Sequence, residues 1–247
     1  MSVVSTDLVI YTAANMPEDN ASLTGGDINS GIRASFDDLS TPSRVVVYSA
    51  SGTDTSQNLT VVGRTSEGTI ISETVSLAGT THVFTSYTYG RVLSAVLNAS
   101  AIGSISVSGN TINNLSNIPV GEYGFRRPFY DATARVEKSK TYYEKLFVKN
   151  NNTSAALTDA KIVEVNDGLA SKIDFGLEDS KKSNQTVTNR ETAPTGIGGG
   201  FGSGPSGIMD DLLLVNDYQG MWVKLSLGAG EAATNSFYEV QISGTTV

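Results

Sequence analysis

The chain has 247 residues, with 25 acidic against 17 basic side chains, a formal net charge of −8, 39% apolar residues and no cysteine. The acidic balance argues against nucleic acid as a general partner, because phosphate neutralisation needs clustered Lys and Arg, and the lack of cysteine excludes disulfides, zinc–thiolate sites and thiol nucleophiles. No run of about 18 apolar residues offers a membrane span, and the N-terminal MSVVSTDLVIY has neither a basic n-region nor a sustained apolar stretch, so no secretory leader is expected.

Only 17% of the residues are charged, and Ser, Thr, Asn and Gly fill the place of charge, a composition that suits many short strands and turns. The first half predicts strands at 7–12, 31–36, 44–49, 57–64, 69–77, 81–86, 91–97 and 104–108. Turn chemistry separates them: SGTD at 51–54, SEG at 66–68, AGT at 78–80 and ASAIG at 99–103. A strand roughly every ten residues is the rhythm of a sandwich or barrel.

The stretch 69–84 reads as the clearest hairpin. Ile71, Val75 and Leu77 share one parity and Ser72, Thr74 and Ser76 the other, as in a half-buried strand. A tight turn through Ala78-Gly79 would set His82, the single histidine, opposite Val75 with Glu73 as a diagonal neighbour. A His beside a Glu suggests acid–base chemistry, but no nucleophile or metal partner accompanies the pair, so a structural histidine is expected.

Residues 109–133, GNTINNLSNIPVGEYGFRRPFYDAT, read as a linker or inter-domain connection. Within it, Phe125, Arg126, Arg127, Phe129 and Tyr130 form the most interface-like stretch, since Arg and aromatic residues are favoured at protein contacts. Basic residues continue through Arg135, Lys138, Lys140, Lys145 and Lys149 and outnumber Asp131, Glu137 and Glu144. This region is either a docking surface for an acidic protein or an ordinary solvated strand face.

The second half predicts strands at 134–139, 142–149, 157–165, 169–176, 210–215, 221–227 and 237–243, with Asn166-Asp167-Gly168 as a type I′ hairpin signal. Trp222, the single tryptophan, is expected to anchor the core. Seven strands in about 115 residues suit an immunoglobulin-like sandwich without its disulfide. The domain division is therefore 1–108, a connection at 109–133, and 134–247. The fold class expected is all-β: two β-sandwich domains, jelly-roll or immunoglobulin-like, with little helix.

The tract GIGGGFGSGPSG at 196–207 formally contains G-x-G-x-x-G between Gly202 and Gly207. A dinucleotide site needs a strand running into that loop and a helix opening from it. Here Pro194 precedes it, Pro205 removes one amide, and a short apolar strand follows. The tract is expected to be a flexible loop over a sheet edge, or a loop ordered against a neighbouring subunit. The acidic pairs Glu18-Asp19, Asp37-Asp38, Glu178-Asp179 and Asp210-Asp211 point to opposite faces of a strand, and none has the spacing of a calcium loop. No catalytic residue, cofactor site or metal site is assigned.

Two stretches carry a resemblance. Residues 58–109 contain Ile71-Ser72-Glu73-Thr74, the turn Gly79-Thr80-Thr81 and the strand Gly103-Ser104-Ile105-Ser106-Val107. Together they resemble a β-module of tailed-bacteriophage virion proteins. The pair YYEKLFVKNNNTSAALTDAKI (142–162) and MWVKLSLGAGEAATNSFYEVQISG (221–244) is similar to immunoglobulin-like domains of phage structural proteins. The resemblance covers roughly half the chain and implies a non-enzymatic virion component made in the host bacterial cytoplasm. A capsid-associated decoration or cement protein is favoured, homo-oligomeric in the particle, with the major capsid protein as partner. A neck, tail or baseplate subunit, or a host-surface or glycan-binding module, are the alternatives. No nucleic-acid or membrane partner is expected.

Overall fold

The computed structural model describes residues 2–16, 26–34, 37–110, 114–129, 137–168, 172–231 and 238–247. In chain order the strands are β1 (Leu8–Ala13), β2 (Ile28–Arg33), β3 (Ser43–Ser49), β4 (Asn58–Arg64), β5 (Ile70–Ser76), β6 (Val83–Tyr89), β7 (Arg91–Leu97), β8 (Ile105–Gly109), β9 (Asn114–Ile118) and β10 (Gly124–Arg126). They continue with β11 (Lys140–Asn150), β12 (Leu157–Asp167), β13 (Ile173–Lys181), β14 (Ile197–Gly202), β15 (Ser206–Gly207), β16 (Leu212–Leu213), β17 (Tyr218–Leu227) and β18 (Tyr238–Thr246). Two single 3₁₀ turns are the sole helical pieces among the described residues, and neither is long and apolar enough to cross a membrane. The fold is all-β.

The chain divides into two compact units. One combines Met1–Asn29 with Asp131–Val247; the other is Ser30–Tyr130. This differs from the sequence division in two places. Residues 1–29 go with the C-terminal half because β1 pairs antiparallel with β11, Leu8 opposite Asn150 through Thr12 opposite Leu146. The 109–133 stretch is no linker along its described length: β9 pairs with β8, and β10 pairs with β7 and, in parallel, with β2. Its many Asn and Gly residues hid two short strands that have little alternation to read.

In the 30–130 unit, one sheet has the order β2-β10-β7-β4-β5 and the other β6-β3-β8-β9. Alternating side chains put Leu59 and Val61 of β4, Val45 and Val47 of β3, and Ile105 and Val107 of β8 into one core between the sheets. Burial of each such side chain contributes about 1.5–3 kcal/mol. The expected 69–84 hairpin is absent. β5 pairs with β4, from Asn58 opposite Ser76 to Arg64 opposite Ile70, whereas β6 pairs with β3 in the other sheet. The turn at Ala78-Gly79 survives as a lone bridge between Ala78 and Thr81 where the chain crosses between sheets.

In the other unit, one sheet runs β14-β13-β17-β11-β1. The second is built on β12, with β18 along one edge and β15 and β16 along the other. The Asn166-Asp167-Gly168 signal again marks a crossing rather than a hairpin, since β12 and β13 belong to different sheets. The two stretches likened to immunoglobulin-like domains supply the paired strands β11 and β17, with Lys145 opposite Trp222. β11 is buried on both faces for most of its length, which its run Leu146-Phe147-Val148 permits.

Candidate functional site

The stretch expected as an interface is built into its own unit. Phe125 lies in β10 between β2 and β7 and is 1% exposed, a core residue with no surface to offer a partner. Arg126 is half-buried. Arg127 donates its backbone N–H to Leu93 O at 2.8 Å, and its guanidinium lies 3.2 Å from Asp38 Oδ2. Arg91 reaches the same oxygen at 3.2 Å, so one carboxylate holds two guanidinium groups. Burial, then the neighbouring Arg91, pulls the Arg127 guanidinium down to about 10. Phe129 is half-buried with φ of 56°, and Tyr130 lies outside the described residues, as does Arg135. Farther along, Lys140 pairs with Glu191, and Lys145 is fully buried. The basic stretch is thus largely engaged internally rather than displayed.

His82 and Glu73 are not a pair. His82 is exposed and stacks on Tyr48, ring centroids 4.3 Å apart. Glu73 accepts the backbone N–H of Ser86 at 2.7 and 2.9 Å and of Tyr87 at 3.1 Å, tying the rim of one sheet to the other. Burial pushes the Glu73 carboxyl up, but these donors, with Arg44 nearby, outweigh it and hold the group below its ordinary value.

The glycine tract is not a loose loop. It forms β14, the outermost strand beside β13. Leu177 faces Gly198 and Phe175 faces Gly202, so Gly199, Gly200 and Phe201 together oppose the single Gly176. That bulge needs left-handed backbone at Gly199 (φ 74°) and Gly200 (φ 77°), which glycine adopts without a Cβ clash. It carries the Phe201 ring onto Tyr143, centroids 5.5 Å apart, within a cluster that includes Trp222, Met16 and Val187.

Both faces of β11 hold a buried ion pair, because Glu144 and Lys145 are neighbours and point opposite ways. Glu144 meets Arg190 Nε at 2.9 Å. Lys145 Nζ donates to Glu178 Oε1 at 2.9 Å, Gln185 O at 2.8 Å and Ser183 O at 3.0 Å, a partner for each ammonium proton. Trp222 Nε1 donates to the same Glu178 oxygen at 2.9 Å. The other oxygen, Oε2, rests over Gly220, where a Cβ would come within 2.0 Å of it. Burial pulls the Lys145 ammonium below its usual range, and Glu178 counters part of that pull.

A further buried carboxylate organises one end of the 30–130 unit. Asp54 accepts from Ser49 Oγ at 2.5 Å and from the backbone N–H groups of Ile102 and Gly103, both at 2.9 Å, and its own carbonyl takes the Gly79 N–H at 2.8 Å. Three loops are knotted through one residue: 50–57, 77–82 and 98–104. The 119–123 loop lies at the same end, since Leu97 N–H donates to Tyr123 O at 2.7 Å and Ile105 pairs with Ile118.

No family model matches the chain, nor does any curated protein or solved structure.

These four loops expose Ile102 (67%), Val120 (62%) and Tyr123 (41%). They carry just two formal charges, Asp54 and Glu122, and both are buried, Glu122 against Arg33 at 2.6 Å. The sequence reading passed over this end because its residues are far apart in the chain and look like ordinary turns. The readable signal was the near-absence of Asp, Glu, Lys and Arg from every second inter-strand loop. Among the described residues, no group of three or more His, Asp and Glu side chains is arranged to hold a metal ion.

Proposed function

We propose that the chain is a non-enzymatic structural component of a tailed-phage virion, favouring a capsid-associated decoration or cement protein made in the bacterial cytoplasm. Its partners in this reading are the major capsid protein and further copies of itself. The observation that carries the reading is the use made of its reactive side chains. Glu73 and Asp54 clasp backbone N–H groups, and Lys145–Glu178 and Glu144–Arg190 cross-brace one strand from both faces. Buried, ion-paired charges of this kind fix one arrangement of a domain, which suits a subunit that must present the same surface at many equivalent positions. The likeness of residues 58–109 and of the 142–162 and 221–244 pair to phage virion modules supplies the context.

The test is to mix the purified chain with expanded capsids that lack it and to follow co-sedimentation and thermal disruption of the shells. The expected outcome is saturable binding and a higher disruption temperature. Shells that neither bind the chain nor gain heat resistance overturn the cement role.

A further inference from the structure

We propose that β18 is an open docking edge, where an extended, basic segment of a partner protein pairs as an added antiparallel strand. An outer strand presents unpaired backbone groups, and folded proteins ordinarily blunt such edges with bulges, shortness or inward charge. The other outer strands among the described residues are blunted in these ways. β15 and β16 have two residues each, and β14 bulges at Gly199 and Gly200. β6 sets residues 85–87 against the single Val45 of β3, and Glu73 covers two of their amides. β5 carries that same Glu73 in its inner row, opposite Val61. β9 is five residues long and is offset by a bulge in its pairing with β8.

β18 has none of these devices. It runs nine residues without proline, and the extra residues of both bulges in its ladder lie on β12. No strand among the described residues pairs with its other side. Val247 and Ala156 exchange backbone N–H···O bonds at 3.1 and 3.2 Å. Bonding direction alternates from there along an antiparallel strand. Thr245, Ser243, Gln241 and Glu239 therefore turn their N–H and C=O to β12, whereas Thr246, Gly244, Ile242 and Val240 turn theirs to the open side. The side chains of Val240 and Ile242 are only half-buried, so an added strand with apolar residues on that face completes their cover.

Charge selects the occupant. The net −8 belongs wholly to the unit that contains β18, which carries 19 acidic against 11 basic residues. In the elements of this sheet and the adjoining Met209–Asp211 turn, six residues are acidic, Asp159, Glu164 and Glu239 among them, against Lys161 alone. A second copy would lay acidic sheet against acidic sheet, whereas lysines or arginines on the outward face of an incoming strand are attracted. The inference does not rest on the virion reading, so either can fail alone.

Amide exchange of the full chain, read by NMR, tests the proposal with a nonapeptide of alternating lysine and valine as the probe. The expected result is binding that weakens as salt rises, with slowed exchange at Val240, Ile242, Gly244 and Thr246 and little change at Gln241, Ser243 and Thr245. In an antiparallel pair the bonded residues share a face, so N-methylation of the peptide's valines lowers affinity about tenfold or more. Val240→Pro removes a donor from the open side alone, where proline is tolerated, and weakens binding likewise; circular dichroism checks its fold. A peptide that does not bind, protection that misses these four amides, or indifference to N-methylation overturns the proposal. So does equal binding of a glutamate–valine counterpart, or the same protection arising when the chain alone is concentrated.

Discussion

Lys145 and Glu178 sit 2.9 Å apart with side chains 0% and 1% exposed, and the single tryptophan donates to the same carboxylate. Such a pair gains little against two well-packed apolar residues, but removal of one partner strands the other charge away from water. Lys145→Met leaves the buried Glu178 carboxyl without its cation and frees the carbonyls of Ser183 and Gln185. A loss of about 3–5 kcal/mol in unfolding free energy is expected. Denaturant titration monitored by Trp222 fluorescence reads this unit alone, because the 30–130 unit has no tryptophan. A loss below about 1 kcal/mol, the scale of an exposed pair, contradicts the description of this cluster.

At the scale of elements, Asp54 shows how one side chain sets the conformation of several loops. Burial raises its carboxyl, but the N–H of Ile102, the hydroxyl of Ser49 and the N–H of Gly103 together hold it below its ordinary value. A carboxyl whose folded pKa is depressed adds stability that is complete above the unfolded value, about 4, and is lost as pH falls through the folded value. The wild-type unit is therefore expected to lose stability below about pH 4. Asp54→Asn lowers stability at neutral pH by about 2–3 kcal/mol and flattens that acid slope. It also speeds amide exchange at Ile102 and Gly103, measured by NMR. Unchanged exchange at those two amides contradicts the knot.

What the sequence made legible at this scale was the strands themselves. Leu59 and Val61 in β4 alternate cleanly with half-buried neighbours, and alternation assigns a face to each residue. It does not say which strand lies alongside. The signals at Ala78-Gly79 and Asn166-Asp167-Gly168 mark true reversals, yet each reversal carries the chain to the opposite sheet, and turn chemistry is blind to that choice. β14 was unreadable for a different reason. Gly198, Gly199 and Gly200 have no side chains to alternate, and the bulge that places Phe201 depends on glycine's freedom at positive φ. Within the interface-like Phe125-Arg126-Arg127 stretch, composition ranks residues by type and so could not show that pairing with β7 and β2 sends Phe125 inward.

For the whole molecule, charge is distributed by purpose. In one unit it cross-braces β11 from both faces; in the other, Asp38 binds two arginines at one end and Arg33 pairs with Glu122 at the opposite end. The acidic net charge favours repulsion between separate copies, and two all-β units braced by internal ion pairs suit the proposed role of acting by contact with other proteins. That is the central claim, and it is tested most directly by mass spectrometry of purified particles with heads and tails separated. The expected result is the chain in the head fraction at a fixed ratio to the major capsid protein. Recovery with tails alone contradicts the capsid placement, and absence from every particle fraction contradicts the structural role itself.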